Sequence, residues 1–241
     1  MRKVRAPIAG VAAGERTLDE GSAHYLTRVL RLGEGDSFVA FDRGMEANAQ
    51  IISASANGVV IRAEEPRAAI GTTDVTWIHG FAKADKVDAI VRDATELGVT
   101  RFVVALTLRG VVKLGKERSD TRRARWERIA REAARQSGRA DAPRVEGPTP
   151  WNDAIASVDP RAARFVLWEE ARAPLGPPLA LELTTGRALA FAAGPEGGLT
   201  AEEARFAEGQ GWILASLGPL ILRTETVPAA VLGAARVFAM K

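Results

Sequence analysis

Residues 188–203, ALAFAAGPEGGLTAEE, decide the fold class. The first seven are small and apolar without helical spacing, as in a strand buried on both faces of a sheet. Glycines at 194, 197 and 198 then free the backbone to turn and to approach a ligand. Thr200 and Glu203 have the spacing of a capping box. They open a helix over 200–210 that directs its positive end at the turn. Strand, glycine turn and helix in this order make an α/β unit, which binds ligands at the carboxyl ends of its strands. The turn is not a P-loop, which needs a following Lys-Ser/Thr, nor a dinucleotide fingerprint with glycines at one, three and six. Taken alone it also fits a plain tight connection.

Outward from this stretch the same alternation continues. VTWIHGFA (75–82), RFVVALTL (101–108), RFVLWEE (164–170) and WILASLG (212–218) read as strands. Helices are predicted over 86–97, closed by Gly98, and over 122–136 and 227–240. The expectation is an α/β sandwich on a mostly parallel sheet, residues 71–241. Residues 1–70 read differently. VRAPI (4–8), SFVAFD (37–42), ANAQIISAS (47–55) and GVVIRAEEP (58–66) are short strands, with turns at 33–35, 42–44 and Asn57-Gly58. One helix lies within SAHYLTRVLRL (22–32), where Ser22 can serve as the cap. The pattern predicts a small β-barrel of the kind that presents RNA-binding loops. Pro66 and AAIGTT (68–73) mark the linker.

The 241 residues contain no cysteine and two histidines, which excludes disulfides, thiolate chemistry and a histidine-built metal centre. No metal is expected. No apolar run approaches the ~20 residues of a spanning helix, and Pro7, Gly10 and Gly14 break up the basic start, so no membrane contact and a cytoplasmic location are expected. The net charge of +3 is unevenly spread: residues 100–145 carry thirteen basic against five acidic side chains, while the rest is balanced or acidic. Clustered cations suit a polyanion, because phosphate neutralisation releases counterions. A solvated helix face explains them equally well.

Two further segments stand out. In SLGPLILRTETVP (216–228), apolar Ile221 and Leu222 occupy what should be a loop, ahead of the polar run 223–226. Capping of the last helix by Thr226 and Pro228 accounts for the polar part and leaves the apolar residues unexplained. In ERSDTRRARWERIAREAARQSGR (117–139), Arg128, Arg131 and Arg135 share a helix face. Glu127–Arg131 and Arg128–Glu132 form ordinary i,i+4 pairs, leaving Lys113, Lys116, Arg118, Arg122 and Arg123 as the better phosphate contacts. His24, Arg28 and Arg31 lie on the N-terminal helix.

HYLTRVLR (24–31), KADKVDAIVRDATELGV (83–99), RWERIAREAARQSGR (125–139), GPEGGLTAEE (194–203) and LGPLILRTET (217–226) together resemble the RsmE family, in the family's order and across essentially the whole chain. The resemblance implies a bacterial methyltransferase acting on N3 of one uridine in 16S ribosomal RNA. It implies a PUA-like barrel followed by a SPOUT domain, an α/β fold whose C-terminal segment is threaded into a trefoil knot. S-adenosyl-L-methionine would lie in that knot, against Leu167, Gly194, Pro195, Glu196, Gly197, Gly198, Leu217, Gly218, Ile221, Leu222 and Arg223. The family acts as homodimers, so an apolar face of Val231, Leu232, Ala235 and Phe238 would be interface. The partners implied are 16S rRNA or the 30S subunit, contacted through His24, Arg28, Arg31, Lys113, Lys116, Arg118, Arg122, Arg123 and Arg135. The chain departs from the family at Leu220, where arginine is usual, and near Arg92-Asp93 and 108–110.

Loss of the N3 proton spreads negative charge onto O2 and O4 of uracil, and an arginine is the natural stabiliser. Arg223 is the first candidate and Arg109 the second, with Glu225 either accepting the proton or orienting Arg223. The competing readings are an enzyme of the same fold acting on another RNA, and a non-catalytic RNA-binding assembly protein.

Overall fold

The structure, a computed structural model, describes residues 4–42, 45–55, 58–68, 74–110, 116–139 and 141–239; for residues 68, 84 and 116–118 it gives the backbone alone. The chain divides into two units: residues 1–72 with 134–141, and residues 73–133 with 142–241. Position 57, the turn after Asp42 and residues 69–73 of the expected linker lie outside the described residues.

The first unit holds β1 (Arg5–Pro7), β2 (Gly14–Thr17), α1 (Glu20–His24), β3 (Ser37–Asp42), β4 (Met45–Ser55), β5 (Gly58–Ala63) and β6 (Arg67–Ala68). They form one sheet in the order β1-β3-β4-β5-β2, with β6 on β4, and only the β1–β3 pairing is parallel. Alternate residues of β3 to β5, among them Phe38, Ala40, Ile51 and Ile61, bury one face together with Leu26. Glu46 is 3% exposed and bridges Arg5 at 2.8 Å and Arg67 at 3.0 Å. Burial raises its pKa, but the two guanidiniums outweigh that and hold it below the ordinary carboxylate value. Helix α1 is capped by Asp19, whose Oδ1 accepts from the Ser22 N–H at 2.9 Å; the expected cap, Ser22, is the residue being capped. The helix runs on as a π-helical turn, Tyr25–Val29, and Arg31 follows with φ +56°, a strained conformation for a side-chain-bearing residue.

The second unit contains β7 (Val75–Gly80), α2 (Ala84–Glu96), β8 (Arg101–Leu106), α3 (Lys116–Ser137, all but its last four residues), β9 (Arg144–Pro150), α4 (Trp151–Ala156), β10 (Ala163–Leu167), α5 (Gly176–Thr185), β11 (Leu189–Ala193), α6 (Ala201–Gly209), β12 (Ile213–Ala215) and α7 (Thr226–Ala239). Its six strands run in the order β12-β10-β11-β7-β8-β9, every pairing parallel. Both faces are therefore covered. Trp77, Phe102, Phe165 and Phe191 pack on one side with α2, α3, α5 and α7, while Ile78, Val103, Val166 and Ala192 pack on the other with α4 and α6. Trp77–Phe191 and Phe165–Phe191 ring centroids are 5.9 and 5.7 Å apart. Burying each such ring stabilises by about 1.5–3 kcal/mol.

Three elements of this unit escape the sequence pattern. β9 carries Gly147, Pro148 and Pro150, which a sheet tolerates at its edge, where β9 lies. α4 and α5 are short or proline-led. The expected interface face of α7 is corrected: Val231, Leu232 and Ala235 are 2%, 2% and 6% exposed inside the chain's own core, and only Phe238, at 74%, faces outward.

Candidate active site

The chain runs β7-β8-β9 to one edge and then returns to the other side of β7, where β11 inserts between β7 and β10, so the strand order switches there and the carboxyl ends of β10, β11 and β12 open on one cleft. Its volume is about 660 Å³, within the usual range for a small-molecule site. Leu167 at the end of β10, the turn 193–198 after β11 and the segment 216–225 after β12 line it, with Lys86 from α2. The structure thus brings together every residue for which the resemblance implied a methyl donor. Leu220 and Ile221 are 77% and 92% exposed at its rim, and Leu222 is half-buried.

The glycine turn is fixed by what surrounds it. A Cβ on Gly80 at the end of β7 would stand 2.4 Å from Pro195 Cδ and 2.7 Å from its nitrogen, so strand and turn touch backbone to backbone. Gly198 has φ +71°, the left-handed region, and closes the turn by donating its N–H to the Pro195 carbonyl at 2.9 Å. Thr200 and Glu203 form the predicted capping box at the start of α6. Arg109 Nη1 donates to the carbonyls of Gly197 and Leu199, each at 3.3 Å. Arg109 therefore braces the turn that lines the cleft.

The segment 223–226 is pinned twice. Thr224, 7% exposed, donates its hydroxyl to the Gly194 carbonyl at 2.9 Å and meets His79 Nε2 at 2.9 Å. His79 is wholly buried and takes the Trp77 indole N–H on Nδ1 at 3.1 Å. Desolvation pushes its pKa down to about 3, against a smaller opposite pull from Glu225, so the ring is neutral near pH 7. The second pin is ionic: Lys86 Nζ lies 3.1 Å from Glu225 Oε2 and 3.5 Å from Glu196 Oε1. Glu225 raises the Lys86 pKa. Glu225 is itself held below the usual carboxylate range, first by its own main-chain N–H and then by Lys86, with burial opposing. The expected Arg223–Glu225 hydrogen bond is not made; Lys86 takes that carboxylate. Arg223 is exposed and has no hydrogen bond or ion pair from its side chain among the described residues.

Sequence reasoning missed His79 and Lys86 as site residues, and it reached Thr224 only as a member of the polar run 223–226, with no role of its own. Lys86 lies in the quoted segment 83–99, at the start of α2. His79 carried no signal beyond being a titratable residue in a largely apolar strand.

The expected RNA contacts divide. His24, Arg28 and Arg31 are exposed on and beside α1. Lys113 lies outside the described residues, as do the side chains of Lys116 and Arg118. Two others are already engaged: the Arg122 guanidinium sits 5.4 Å from the Phe81 ring centroid, and Arg123 pairs with Asp120 at 3.1 Å and Glu127 at 3.9 Å. Arg131 reaches Glu127 at 4.0 Å, whereas the expected Arg128–Glu132 pair is not formed and Arg128 stays exposed without an ion pair among the described residues. Arg135 is exposed in the last turn of α3. Among the described residues no cluster fit for a metal occurs, and no helix is long and apolar enough to cross a membrane.

Residues 71–236 match the family model described as RNA methyltransferase domain, and residues 18–64 match RNA methyltransferase PUA domain. Ribosomal RNA small subunit methyltransferase E of Bacillus subtilis (strain 168) is 32% identical over 219 residues, covering 88% of this chain and 85% of the relative. The protein of that name from Synechocystis sp. is 32% identical over 231 residues, covering 90% of this chain and 71% of its own. In fold, the chain is similar to the crystal structure of a ribosomal RNA small subunit methyltransferase E from Neisseria gonorrhoeae bound to S-adenosyl methionine. The TM-score is 0.75 at 24% identity, with 98% of this chain and 97% of that one covered.

Proposed function

Since the chain belongs to the family of ribosomal RNA small subunit methyltransferase E, we propose that it methylates N3 of one uridine in 16S rRNA, using S-adenosyl-L-methionine. The observation that carries this reading is the cleft at the strand ends, walled by three backbone-rich loops, with the exposed guanidinium of Arg223, which makes no ion pair among the described residues, at its edge. The cleft suits the donor. A Cβ on Gly194 would stand 2.8 Å from Gly198 carbon, so the turn keeps its main-chain groups close and free of side chains, while Leu217, Ile221 and Leu222 supply apolar wall. These residues, with Leu167 and Gly194–Gly198, would hold the donor.

When bound, the donor supplies a methyl group activated by its sulfonium. The chain positions and stabilises. Orientation of N3 toward that group dominates the barrier, and Arg223 offsets the charge that develops on O2 and O4 as the N3 proton leaves. Glu225 is an anchor for the segment through Lys86, since its lowered pKa and its pairing make it a poor base. Arg109 holds the glycine turn from outside. The buried position of Thr224 between β7 and the turn after β11 supports a SPOUT-type knot, with 217–224 as the threaded segment. Exposed Leu220, Ile221, Val237 and Phe238 support a homodimer whose second copy covers them. In this reading the N-terminal unit binds RNA through His24, Arg28 and Arg31, and α3 through Arg128 and Arg135.

The test is small-subunit RNA lacking the mark, incubated with protein and donor. Reverse transcriptase should halt at one new position, because N3 methylation blocks pairing. Methyl transfer confined to another RNA, or none, would overturn the reading. Arg223→Ala should lower kcat by about 10²–10³ at saturating RNA, the usual loss for one stabilising donor.

A further inference from the structure

We propose that His79 and Thr224 are positioning residues: through a one-way hydrogen-bond chain they fix the Gly194 carbonyl, and with it the set of Arg223 against the methyl donor. The inference rests on the methyltransferase reading and deepens it.

The direction of the chain follows from chemistry. An indole N–H can only donate, so Trp77 Nε1 obliges His79 Nδ1 to accept. The neutral ring then carries its proton on Nε2 and donates it to Thr224 Oγ1. That leaves the threonine hydroxyl hydrogen for the Gly194 carbonyl. Each donor and acceptor is used once, and reversing any link would orphan the indole N–H. The chain joins three separate pieces of sequence: β7, the glycine turn and the segment after β12.

As core filler this is a poor solution. His79 sits in a central strand among apolar side chains, where a leucine would pack without desolvating an imidazole. What the polar chain adds is specification. Gly194 lines the cleft, and Thr224 lies between Arg223 and Glu225, which also line it. Moving Thr224 moves both neighbours. The Lys86–Glu225 pair tethers the same segment at the surface, where solvent weakens it.

The experiment compares Thr224→Val, Thr224→Ser, His79→Leu and His79→Gln with the parent. It measures S-adenosylmethionine affinity by calorimetry, kcat and KM for donor and RNA, and thermal unfolding. Thr224→Val, which keeps shape and loses the hydroxyl, should weaken donor binding and lower kcat by about tenfold each, the equivalent of one hydrogen bond to a fixed group. KM for RNA should stay put. Thr224→Ser should return both to within about threefold of the parent, and His79→Gln, whose amide can still donate toward Thr224, should outperform His79→Leu. Parental donor affinity and kcat in Thr224→Val would overturn the proposal. So would a serine variant as impaired as the valine one while both melt at the parental temperature. If the parent itself neither binds the donor nor methylates RNA, it is the functional reading that fails, so the two failures are told apart in one series.

Discussion

The burial of His79 should give the C-terminal unit a measurable acid sensitivity well above the range where carboxylates titrate. In the unfolded chain the imidazole takes up a proton around pH 6.5; folded, it resists protonation until about pH 3. Between those values the unfolded state binds the extra proton, so stability is complete above pH 6.5 and falls as the pH drops toward 3. One proton is worth about 1.4 kcal/mol per pH unit, so lowering the pH from 7.5 to 5 should cost about 2 kcal/mol, most of it below pH 6.5. The window stays above the ordinary carboxylate range of about 4, and Glu225, Glu146 and Asp159 are held lower still by their hydrogen-bond and cationic partners. Urea unfolding followed by tryptophan fluorescence reads the right unit, because Trp77, Trp126, Trp151, Trp168 and Trp212 all belong to it. His79→Gln should unfold at the same urea concentration at pH 7.5 and 5 to within a few tenths of a kcal/mol, while the parent loses its 2. Any contribution of His24 cancels in the comparison. Equal slopes in parent and variant would show that His79 is protonated in the fold and would remove the basis for the direction of the hydrogen-bond chain.

Three other outcomes follow from particular contacts. Gly80→Ala places a methyl 2.4 Å from Pro195 Cδ and 2.7 Å from its backbone nitrogen, so the turn must shift; overpacking of this size costs about 1–3 kcal/mol, and calorimetry should find donor affinity reduced tenfold or more. Arg128→Ala removes an exposed guanidinium with no ion pair among the described residues, and should flatten the dependence of log affinity for RNA on log salt by about one unit, with thermal stability unchanged. Glu46→Ala leaves Arg5 and Arg67 facing each other without their shared carboxylate; both are partly exposed, so chemical unfolding should show a loss of about 1–3 kcal/mol confined to the N-terminal unit.

The α/β class was legible because a parallel sheet covered on both faces demands unbroken apolar strands, and 102–106 and 189–193 are such runs. β9 was not, because an edge strand escapes that demand: RVEGPTP holds a glycine and two prolines and pairs on one side only. β2, GERT, is polar for the same reason, as it too ends its sheet. The face of α7 was misread for a different cause. Hydrophobic spacing says that Val231, Leu232 and Ala235 are covered, and it cannot say whether the cover is this chain's α2 and α5 or another copy.

The site divides along a related line. The glycine turn and its capping box are local devices, written within ten residues, and the sequence displays them whole. The chain from Trp77 to Gly194 is not local: it spans 145 residues between His79 and Thr224, and each member has an innocent local explanation. A histidine in a strand and a threonine before a helix are unremarkable until the sheet order brings β7 beside β11 and sets the segment after β12 against both. The same distance misdirected the reading of Glu225. Its neighbour in sequence, Arg223, is the obvious partner for a carboxylate two residues away, but on this backbone Lys86, from a helix 139 positions earlier, reaches it at 3.1 Å. Occupying Glu225 leaves Arg223 uncommitted, the state in which a guanidinium can answer charge that develops only during reaction. The pairing that the sequence suggested would have spent that guanidinium on its own neighbour, so the nonlocal contact is what makes the local arginine available for chemistry.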